Sequence, residues 1–376
     1  MPPRLIKRIE RGFKNALGWP FAVFLRKGET SRVPVDPGAI ESLLILRPDK
    51  LGDMVVTVPV IHALKKRFPH LTIDVLASPA NRSLIENDPQ VDNVFLYVKN
   101  IIRDWPVIRR LRRRRYDIIY DPICHDSITG LLLSCLIGDV AIRAAARKLN
   151  YIDYYDYCRP YRIDGDDHNI DNGFLIFNVF GVPPREVDPF CPVHIPEAAR
   201  RRADRFFAGL PDSGAFRVGL NISAGSATRT LPEEKFIRVI DLVSEKHPDF
   251  EFVLFCVMAH RARARLIAEK TASPVYLIPE ETSLIEAGAI LSRLGMLISP
   301  DTSLVHMARL MKIPVVGLYS GHRRNFNFWR PYRQDGGAIM AGSIDHLHDI
   351  TAEMIAREFD LLHARSGNPP DRLRAN

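Results

Sequence analysis

Short apolar runs with the length of strands alternate with longer amphipathic stretches along most of the chain. In the first half, strand-like runs lie at 43–46, 73–77, 94–98 and 118–120, and helix-like stretches at 54–68, 81–86 and 128–136. From residue 218, strands are predicted at 218–222, 252–256, 275–278, 296–298 and 315–319, separated by helices at 233–246, 262–270, 284–291 and 304–311. Such alternation predicts parallel, doubly wound α/β sheets.

The chain is long enough for two such domains, because single cores usually stop growing near ~250 residues. Five prolines cluster between the two sets of elements, at 183, 184, 189, 192 and 196. They predict an interdomain linker near 182–197. The expected domains are therefore 41–190 and 191–363, flanked by an N-terminal extension, 1–40, and a disordered tail, 364–376.

The N-terminal extension contains a basic amphipathic pattern. Between residues 4 and 17, apolar side chains recur at helical spacing and five lysines and arginines fill the remaining positions. Two interpretations are open: a helix docked on the body of the protein, or a helix that attaches to anionic lipid. Pro34, Pro37 and Gly38 then predict a linker.

Composition narrows the protein class. The formal net charge of +8 and the pI near 9.3 favour an anionic partner: nucleic acid, an acidic membrane or a phosphorylated substrate. Five scattered cysteines without a C-x-x-C pair argue against a disulfide framework and a zinc ribbon. No apolar stretch approaches the ~18 residues that span a bilayer. We therefore expect a cytoplasmic protein.

Two polar loops join a strand-like run to a helix-like run, at 47–53 and 299–306. Both follow the carboxyl end of a predicted strand, where open α/β sheets bind ligands. In the first, Asp53 is a candidate general base, although a plain helix N-cap is the alternative. In the second, the free N–H groups of a helix that opens at Asp301-Thr302-Ser303 form a potential anion site.

A third loop, at 223–229, consists almost entirely of small residues, SAGSATR. Small side chains let a phosphate approach the backbone, so the loop predicts a phosphate contact; an ordinary connection between strand and helix is the alternative.

In order and spacing, these segments resemble glycosyltransferase family 9, the bacterial heptosyltransferases that add heptose to lipopolysaccharide core. Residues 49–59, DKLGDMVVTVP, match the family's "(S/A)-x-(L/M)-G-D-x-(V/L)-x-T-x-P" stretch, with Asp49 in place of the usual small residue. Residues 301–308, DTSLVHMA, match "D-T-G-x-x-H-x-A", with Ser303 in place of glycine. Residues 218–236 resemble the entry to the donor domain, with Leu231 in place of the usual tryptophan, and Trp329 to Pro331 resemble the closing "W-x-P".

The resemblance implies a GT-B architecture, in which two Rossmann-like domains face each other across a cleft. It implies that Asp53 is the catalytic base and that Arg229 stabilises the departing diphosphate. The implied donor-binding residues are Ser223, Gly225, Ser226, Arg229, Asp301, Thr302, Ser303 and His306. The implied acceptor-binding residues are Asp49, Lys50, Gly52 and His168, although His168 could equally cap the helix that follows it.

The expected function is metal-independent, inverting transfer of a heptose from a nucleotide diphosphate sugar, ADP-heptose first, to a phosphorylated glycolipid of the lipopolysaccharide core. The setting would be the cytoplasmic side of the inner membrane of a Gram-negative-type bacterium, with the protein peripheral on its anionic surface. Alternatives are a related transferase with another sugar or a glycan or protein acceptor, or a catalytically silent protein that binds nucleotide sugars or lipid.

Other chemistry has less support in the sequence. The run of arginines from Arg109 to Arg115 suits a solvated helix face, an acceptor phosphate or anionic lipid, whereas nucleic acid would call for interleaved aromatic residues. The segment 345–349, DHLHD, has no familiar metal spacing and is predicted to be a polar loop and helix start. No cofactor is expected, because the chain lacks G-x-G-x-x-G and P-loop patterns.

Overall fold

The structure is a computed structural model that describes residues 29–138, 140–162, 165–191 and 193–366. It divides the chain into two compact units. The first contains the residues up to 163 together with 169–191, and the second contains 164–168 together with the residues from 192 onward. The predicted basic helix at 4–17 lies outside the described residues.

The first unit is built on a parallel sheet of six strands: β1 (Ser42–Arg47), β2 (Thr72–Ala77), β3 (Asn93–Leu96), β4 (Ile118–Cys124), β5 (Ile142–Lys148) and β6 (Tyr157–Pro160). Their order is β3-β2-β1-β4-β5-β6. In the central strand, Leu43 pairs with Ile73 on one side and Ile118 on the other. Apolar side chains on both faces of β1 are fully buried, as expected for a parallel sheet covered on both sides.

Helices cover this sheet: α1 (Leu51–Val55), α2 (Val58–Arg67), α3 (Ile101–Arg114), α4 (Ile128–Leu136) and α5 (Asn169–Gly173), which continues as a 3₁₀ helix, Phe174–Phe180. Although α5 follows a segment assigned to the second unit, it is fixed to the first sheet. The Tyr120 hydroxyl contacts the backbone oxygens of Asn172 and Gly173 at 3.2 and 2.9 Å.

The second unit repeats the topology with β7 (Arg217–Asn221), β8 (Glu251–Phe255), β9 (Val275–Leu277), β10 (Met296–Pro300), β11 (Val315–Tyr319) and β12 (Gly336–Met340). The order is β12-β11-β10-β7-β8-β9. In each unit, the first strand lies between the second and the fourth, which is the strand order of the Rossmann fold. The prediction of two doubly wound Rossmann-like domains is confirmed.

The helices of the second unit are α6 (Glu197–Ala208), α7 (Glu233–Lys246), α8 (Arg261–Lys270), α9 (Leu284–Leu291), α10 (Ser303–Leu310), α11 (Arg323–Trp329) and α12 (Ala352–Ser366). The amphipathic helix α7 buries Phe236, Val239, Ile240 and Val243 in the core of this unit. Ser283 and Glu286 form a reciprocal capping box at the start of α9.

Several predicted boundaries are wrong. The stretch 54–68 forms two helices, because the chain bends at Thr57, whose hydroxyl donates to the Asp53 carbonyl at 2.8 Å. The first of these two helices, α1, begins earlier than predicted, at Leu51, so Asp53 lies inside its first turn. The predicted helix at 81–86 is a single 3₁₀ turn, Arg82–Leu84.

The predicted tail, 364–376, overlaps the last helix of the second unit. Residues 364–366 belong to α12, whose inward face buries Ile355, Phe359 and Leu362, and the rest of the predicted tail lies outside the described residues. Among the described residues, no helix is long and apolar enough to cross a membrane.

Candidate functional site

The candidate donor residues of the second unit lie in loops that follow β7 and β10, two adjacent strands. The loop after β7 carries residues 222–230, and the loop after β10 carries Asp301 and Thr302. The strand order reverses direction between these strands, and open α/β sheets bind ligands at that point. The fold thus brings together two of the three loops selected from the sequence.

A hydrogen-bond network fixes Thr302. The Asn221 side-chain amide donates to the hydroxyls of Ser299 and Thr302, at 2.9 and 3.1 Å. Thr302 is the extended N-cap residue of α10, and its hydroxyl does not cap the helix. The first N–H groups of an α-helix lack intrahelical partners, so this end of α10 is suited to an anion.

Ser303, which stands where the family usually has glycine, is the first residue of α10 and partly exposed. Its φ is not among the positive values of the described residues. The backbone here therefore does not require glycine, and the hydroxyl adds a possible donor to phosphate.

Arg229 and Asp301 join the two loops. One Arg229 terminal nitrogen lies 3.1 Å from Asp301 Oδ2, which also accepts a 2.8 Å hydrogen bond from the Asn325 amide. Burial raises the pKa of Asp301, and the contacts with Asn325 and Arg229 oppose that shift. About one-third of the Arg229 side chain is exposed, so its remaining N–H groups are available to a ligand.

Within the small-residue loop, Ser223 and Gly225 have supporting positions. The Ser223 hydroxyl accepts a hydrogen bond from the Val257 N–H at 3.1 Å and lies 2.9 Å from His260 Nδ1. Its hydrogen-bond partners therefore lie within the protein. A Cβ on Gly225 would lie 3.3 Å from Arg229, so glycine leaves room for the guanidinium. Ser226 is exposed, and its hydroxyl lies 2.9 Å from that of Thr228.

His306 and His168 form a buried aromatic cluster in the second unit. The His306 ring centroid lies 5.2 Å from Trp329 and 6.0 Å from His168, which stacks on Tyr332 at 4.5 Å. Burial, helped by the Arg309 charge, lowers the pKa of His306 to about 3, so its ring is neutral. The pKa of His168 is also lowered by burial.

The surroundings of His168 differ from those expected of an acceptor contact. It is fully buried, and its Nε2 donates to the Arg330 carbonyl at 3.0 Å. The arrangement supports a packing role in the second unit, and the acceptor contact stays a prediction.

In the first unit, the loop after β1 carries Asp49 and Lys50, and the first turn of α1 carries Gly52 and Asp53. Arg47 is buried below the loop, donating to Asp49 Oδ2 and to the Thr57 hydroxyl, both at 2.7 Å. From the neighbouring β2 loop, Ser78 and Asn81 donate to the Asp49 carbonyl at 2.8 and 3.3 Å. These bonds give the loop a defined shape.

The two carboxylates of this segment, 49–53, have different surroundings. Burial raises the pKa of Asp49 to about 6; Arg47 opposes the shift and the charge of Asp53 adds to it. Asp53 is partly exposed in the first turn of α1, and no group among the described residues hydrogen-bonds its carboxylate. Lys50 is exposed, and a Cβ on Gly52 would meet no atom within 4 Å.

His125 is a candidate residue that the sequence did not reveal. It follows β4, the strand next to β1, and the Asp53 charge is close enough to raise its pKa, although burial and Lys148 lower it overall. Lys148, at the end of β5, donates to the carbonyls of Ile123 and His125 at 2.7 and 3.2 Å. It also forms a fully buried 2.9 Å ion pair with Asp121, so this loop is anchored from below.

Two Rossmann-like domains, each built on a parallel sheet, with candidate anion-binding loops at the switch point of the second, are the architecture of the GT-B class. The model of "Glycosyltransferase family 9 (heptosyltransferase)" matches residues 105–358. The chain belongs to that family, and the resemblance seen in the sequence is confirmed.

Individual relatives agree with this assignment. The chain is similar to lipopolysaccharide heptosyltransferase 3 of Escherichia coli, with 22% identity over 306 residues that cover 78% of this chain and 86% of the relative. A family 9 glycosyl transferase structure from Veillonella parvula has a TM-score of 0.71 at 19% identity, covering 86% of this chain and 97% of that one. ADP-heptose lps heptosyltransferase II of E. coli has a TM-score of 0.68 at 19% identity, covering 86% and 99%.

Proposed function

We propose that this chain is an inverting heptosyltransferase that moves a heptose from ADP-heptose to a phosphorylated glycolipid of the lipopolysaccharide-core type at the inner surface of the inner membrane. Family membership makes it a glycosyltransferase. The observation that supports the donor assignment best is the meeting of Arg229, Asp301 and Thr302 at the β7–β10 switch point.

These second-unit residues suit a nucleotide diphosphate. A diphosphate at the start of α10 would meet helix N–H groups, the Thr302 hydroxyl and the exposed part of Arg229. Positive charge at that position stabilises the negative charge that develops on the leaving diphosphate as its bond to the sugar breaks. ADP-heptose is the first candidate because the similar E. coli enzyme is described by that donor.

In the first unit, Asp53 is assigned the role of general base. Its carboxylate would take the proton of an acceptor hydroxyl as that oxygen bonds to the anomeric carbon, and the carbon–oxygen bond to the diphosphate would break from the opposite face. A single displacement of this kind inverts the anomeric configuration. The partly exposed carboxylate of Asp53, which has no hydrogen-bond partner among the described residues, supports this role better than the carboxylate of Asp49, which is paired with Arg47.

Product analysis tests the proposal. Purified chain would be incubated with ADP-heptose or other nucleotide sugars and with lipopolysaccharide core acceptors, and the product mass and anomeric configuration determined. We expect acceptor mass to increase by one heptose residue with ADP-heptose and the configuration to be inverted. Transfer of another sugar would establish a related transferase instead, and nucleotide-sugar binding without any product would leave a silent binding protein.

A further inference from the structure

A basic groove lies between α3 and the end of α4 in the first unit, and it includes none of the residues assigned to catalysis. Its volume is about 550 Å³. The lining residues are Trp105, Ile108, Arg109, Arg112, Arg113, Arg115 and Leu136. We name this surface the α3 groove.

The arginines between residues 109 and 115 divide into two groups. Arg110 and Arg114 have structural partners: both lie over the Phe95 ring, 5.2 and 5.3 Å from its centroid, and Arg114 pairs with Asp74 at 2.5 Å. The four groove arginines form no ion pair or side-chain hydrogen bond with any described residue. Arg109 and Arg113 lie four residues apart, a spacing at which like charges repel each other on a helix.

Local packing keeps this charge in place. The Arg112 stem crosses Gly138, where a Cβ would lie 3.3 Å from Arg112 Cγ and where φ is +110°. A glycine therefore supplies both the backbone conformation and the room for the arginine. Ile108, at the floor of the groove, and Leu111 are buried in the core, which fixes the orientation of α3.

Exposed apolar side chains lie beside the arginines. Ile102 is 82% exposed, Trp105 47% and Val98 40%. The loop before α3 is held by the buried Asp104 carboxylate, which accepts hydrogen bonds from the Val98 and Asn100 N–H groups, both at 2.8 Å. These apolar side chains are therefore presented to solvent by an ordered segment.

We infer that the α3 groove is a membrane contact that binds anionic phospholipid headgroups. Arginines meet lipid phosphates, while Trp105 and Ile102 enter the boundary between headgroups and acyl chains, where amphipathic aromatic side chains are favoured. Nucleic acid fits the groove less well, because a single aromatic residue offers no series of stacking platforms. The inference extends the proposed function, since a glycolipid acceptor lies in a membrane, but lipid binding is measurable without activity.

The test is cosedimentation of the full-length chain with vesicles of phosphatidylcholine, with or without one-third phosphatidylglycerol. Because each cation near an anionic surface strengthens partitioning about fivefold, Arg112→Gln/Arg113→Gln should reduce binding roughly 20-fold at low salt. The control, Arg205→Gln/Arg357→Gln, removes the same charge from exposed positions on α6 and α12 and should change binding only slightly. Trp105→Gln should weaken binding without changing its salt dependence, because it removes only apolar contact.

Unchanged vesicle binding in the groove variant, or a loss equal to that of the control, would overturn the inference. So would a groove variant that binds vesicles normally but loses transfer to a soluble, delipidated acceptor, because the arginines would then contact acceptor phosphates. Loss of oligonucleotide binding with normal vesicle binding would assign the groove to nucleic acid. Absence of transfer by the unmodified chain would contradict the proposed function and leave the vesicle result standing.

Discussion

Asp49 and Asp53 lie four residues apart, and the structure gives them different chemistry. Asp49 is held by Arg47 at 2.7 Å, whereas the Asp53 carboxylate has no hydrogen-bond donor among the described residues. Both charges lie in one short polar segment of the sequence, so the sequence alone could not show which carboxylate has a structural role and which a catalytic one. The distinction depends on Arg47, which lies at the end of β1 and is buried below the loop.

At this residue, Asp53→Asn should lower the transfer rate by ~10² to 10⁴, the usual contribution of a general base, and leave ADP affinity almost unchanged. The amide keeps the shape of the side chain but cannot accept the proton. Asp153→Asn, at an exposed 3₁₀ position of the same unit, is the matched control. Turnover of the Asp53 variant close to that of the control would reject Asp53 as the base.

His306 gives the protein a pH dependence at the residue scale. Its pKa is about 3 in the folded chain and about 6.5 when unfolded, so between these values the unfolded state binds the extra proton. Stability should therefore rise with pH across this window and fall as the solution is acidified below about 6.5.

His306→Gln removes this contribution. Between pH 7 and pH 5, we expect the variant to lose roughly 2 kcal/mol less unfolding free energy than the unmodified chain. Urea unfolding at both pH values measures the difference, and His346→Gln, at an exposed loop position, is the control. Equal pH dependence in all three proteins would show that His306 is not a buried neutral histidine.

At the scale of elements, prediction succeeded where the apolar residues recur at regular spacing and failed where buried positions carry small or charged residues. The helices α4, α7 and α9 and the strand β11 have the predicted limits, because their apolar spacing agrees with their burial. The strand β5 was missed, since its sequence, IRAAARK, has small and charged residues in a buried position. Missing β5 also hid Lys148, whose ammonium is paired with Asp121 inside the unit.

A close approach between α4 and β4 supports that ion pair. A Cβ on Gly130 would lie 2.2 Å from Asp121 Oδ2, so any larger residue must displace the carboxylate. The same oxygen accepts a 3.0 Å hydrogen bond from the Tyr155 hydroxyl, so it has little freedom to move. Lys148 also donates to the His125 carbonyl. The disturbance should therefore reach the carboxyl ends of β1 and β4, where Asp53 and His125 lie.

Gly130→Ala should therefore lower the free energy of unfolding by about 2 to 4 kcal/mol, since disruption of a buried ion pair outweighs the gain in helix propensity. Gly52→Ala is the control, because a Cβ there meets nothing and should change stability by ~1 kcal/mol at most, in the stabilising direction. Denaturant unfolding compares the two. A Gly130 variant as stable as the Gly52 variant would show that Asp121 has room to move.

At the scale of the whole molecule, the sequence predicted two Rossmann-like domains but could not predict how the chain is shared between them. Residues 164–168 belong to the second unit and 169–191 to the first. No change of composition marks that exchange. It follows from His168 packing on Tyr332 and from Tyr120 contacting the backbone of Asn172 and Gly173. Such contacts join residues far apart in sequence, and local patterns do not reveal them.

Although both units have the same fold, the residues assigned to the donor all lie in the second unit, so nucleotide recognition should be confined to that unit. On addition of ADP, backbone amide exchange should slow in residues 222–230 and 300–306, where Arg229, Asp301 and Thr302 are held together. It should stay nearly constant in residues 47–53, which contain Asp53. Hydrogen-exchange mass spectrometry of the full chain with ADP, AMP or no nucleotide measures this directly.

AMP should protect the second-unit loops less than ADP, because it lacks the phosphate assigned to Arg229. For the same reason, Arg229→Ala should reduce the protection by ADP more than that by AMP, whereas Asp53→Asn should reduce neither. ADP protection at 47–53 equal to that at 300–306 would contradict the division of roles. Such a result would mean that the nucleotide also contacts the segment that carries Asp53, and that the start of α10 is not the main site of its phosphates.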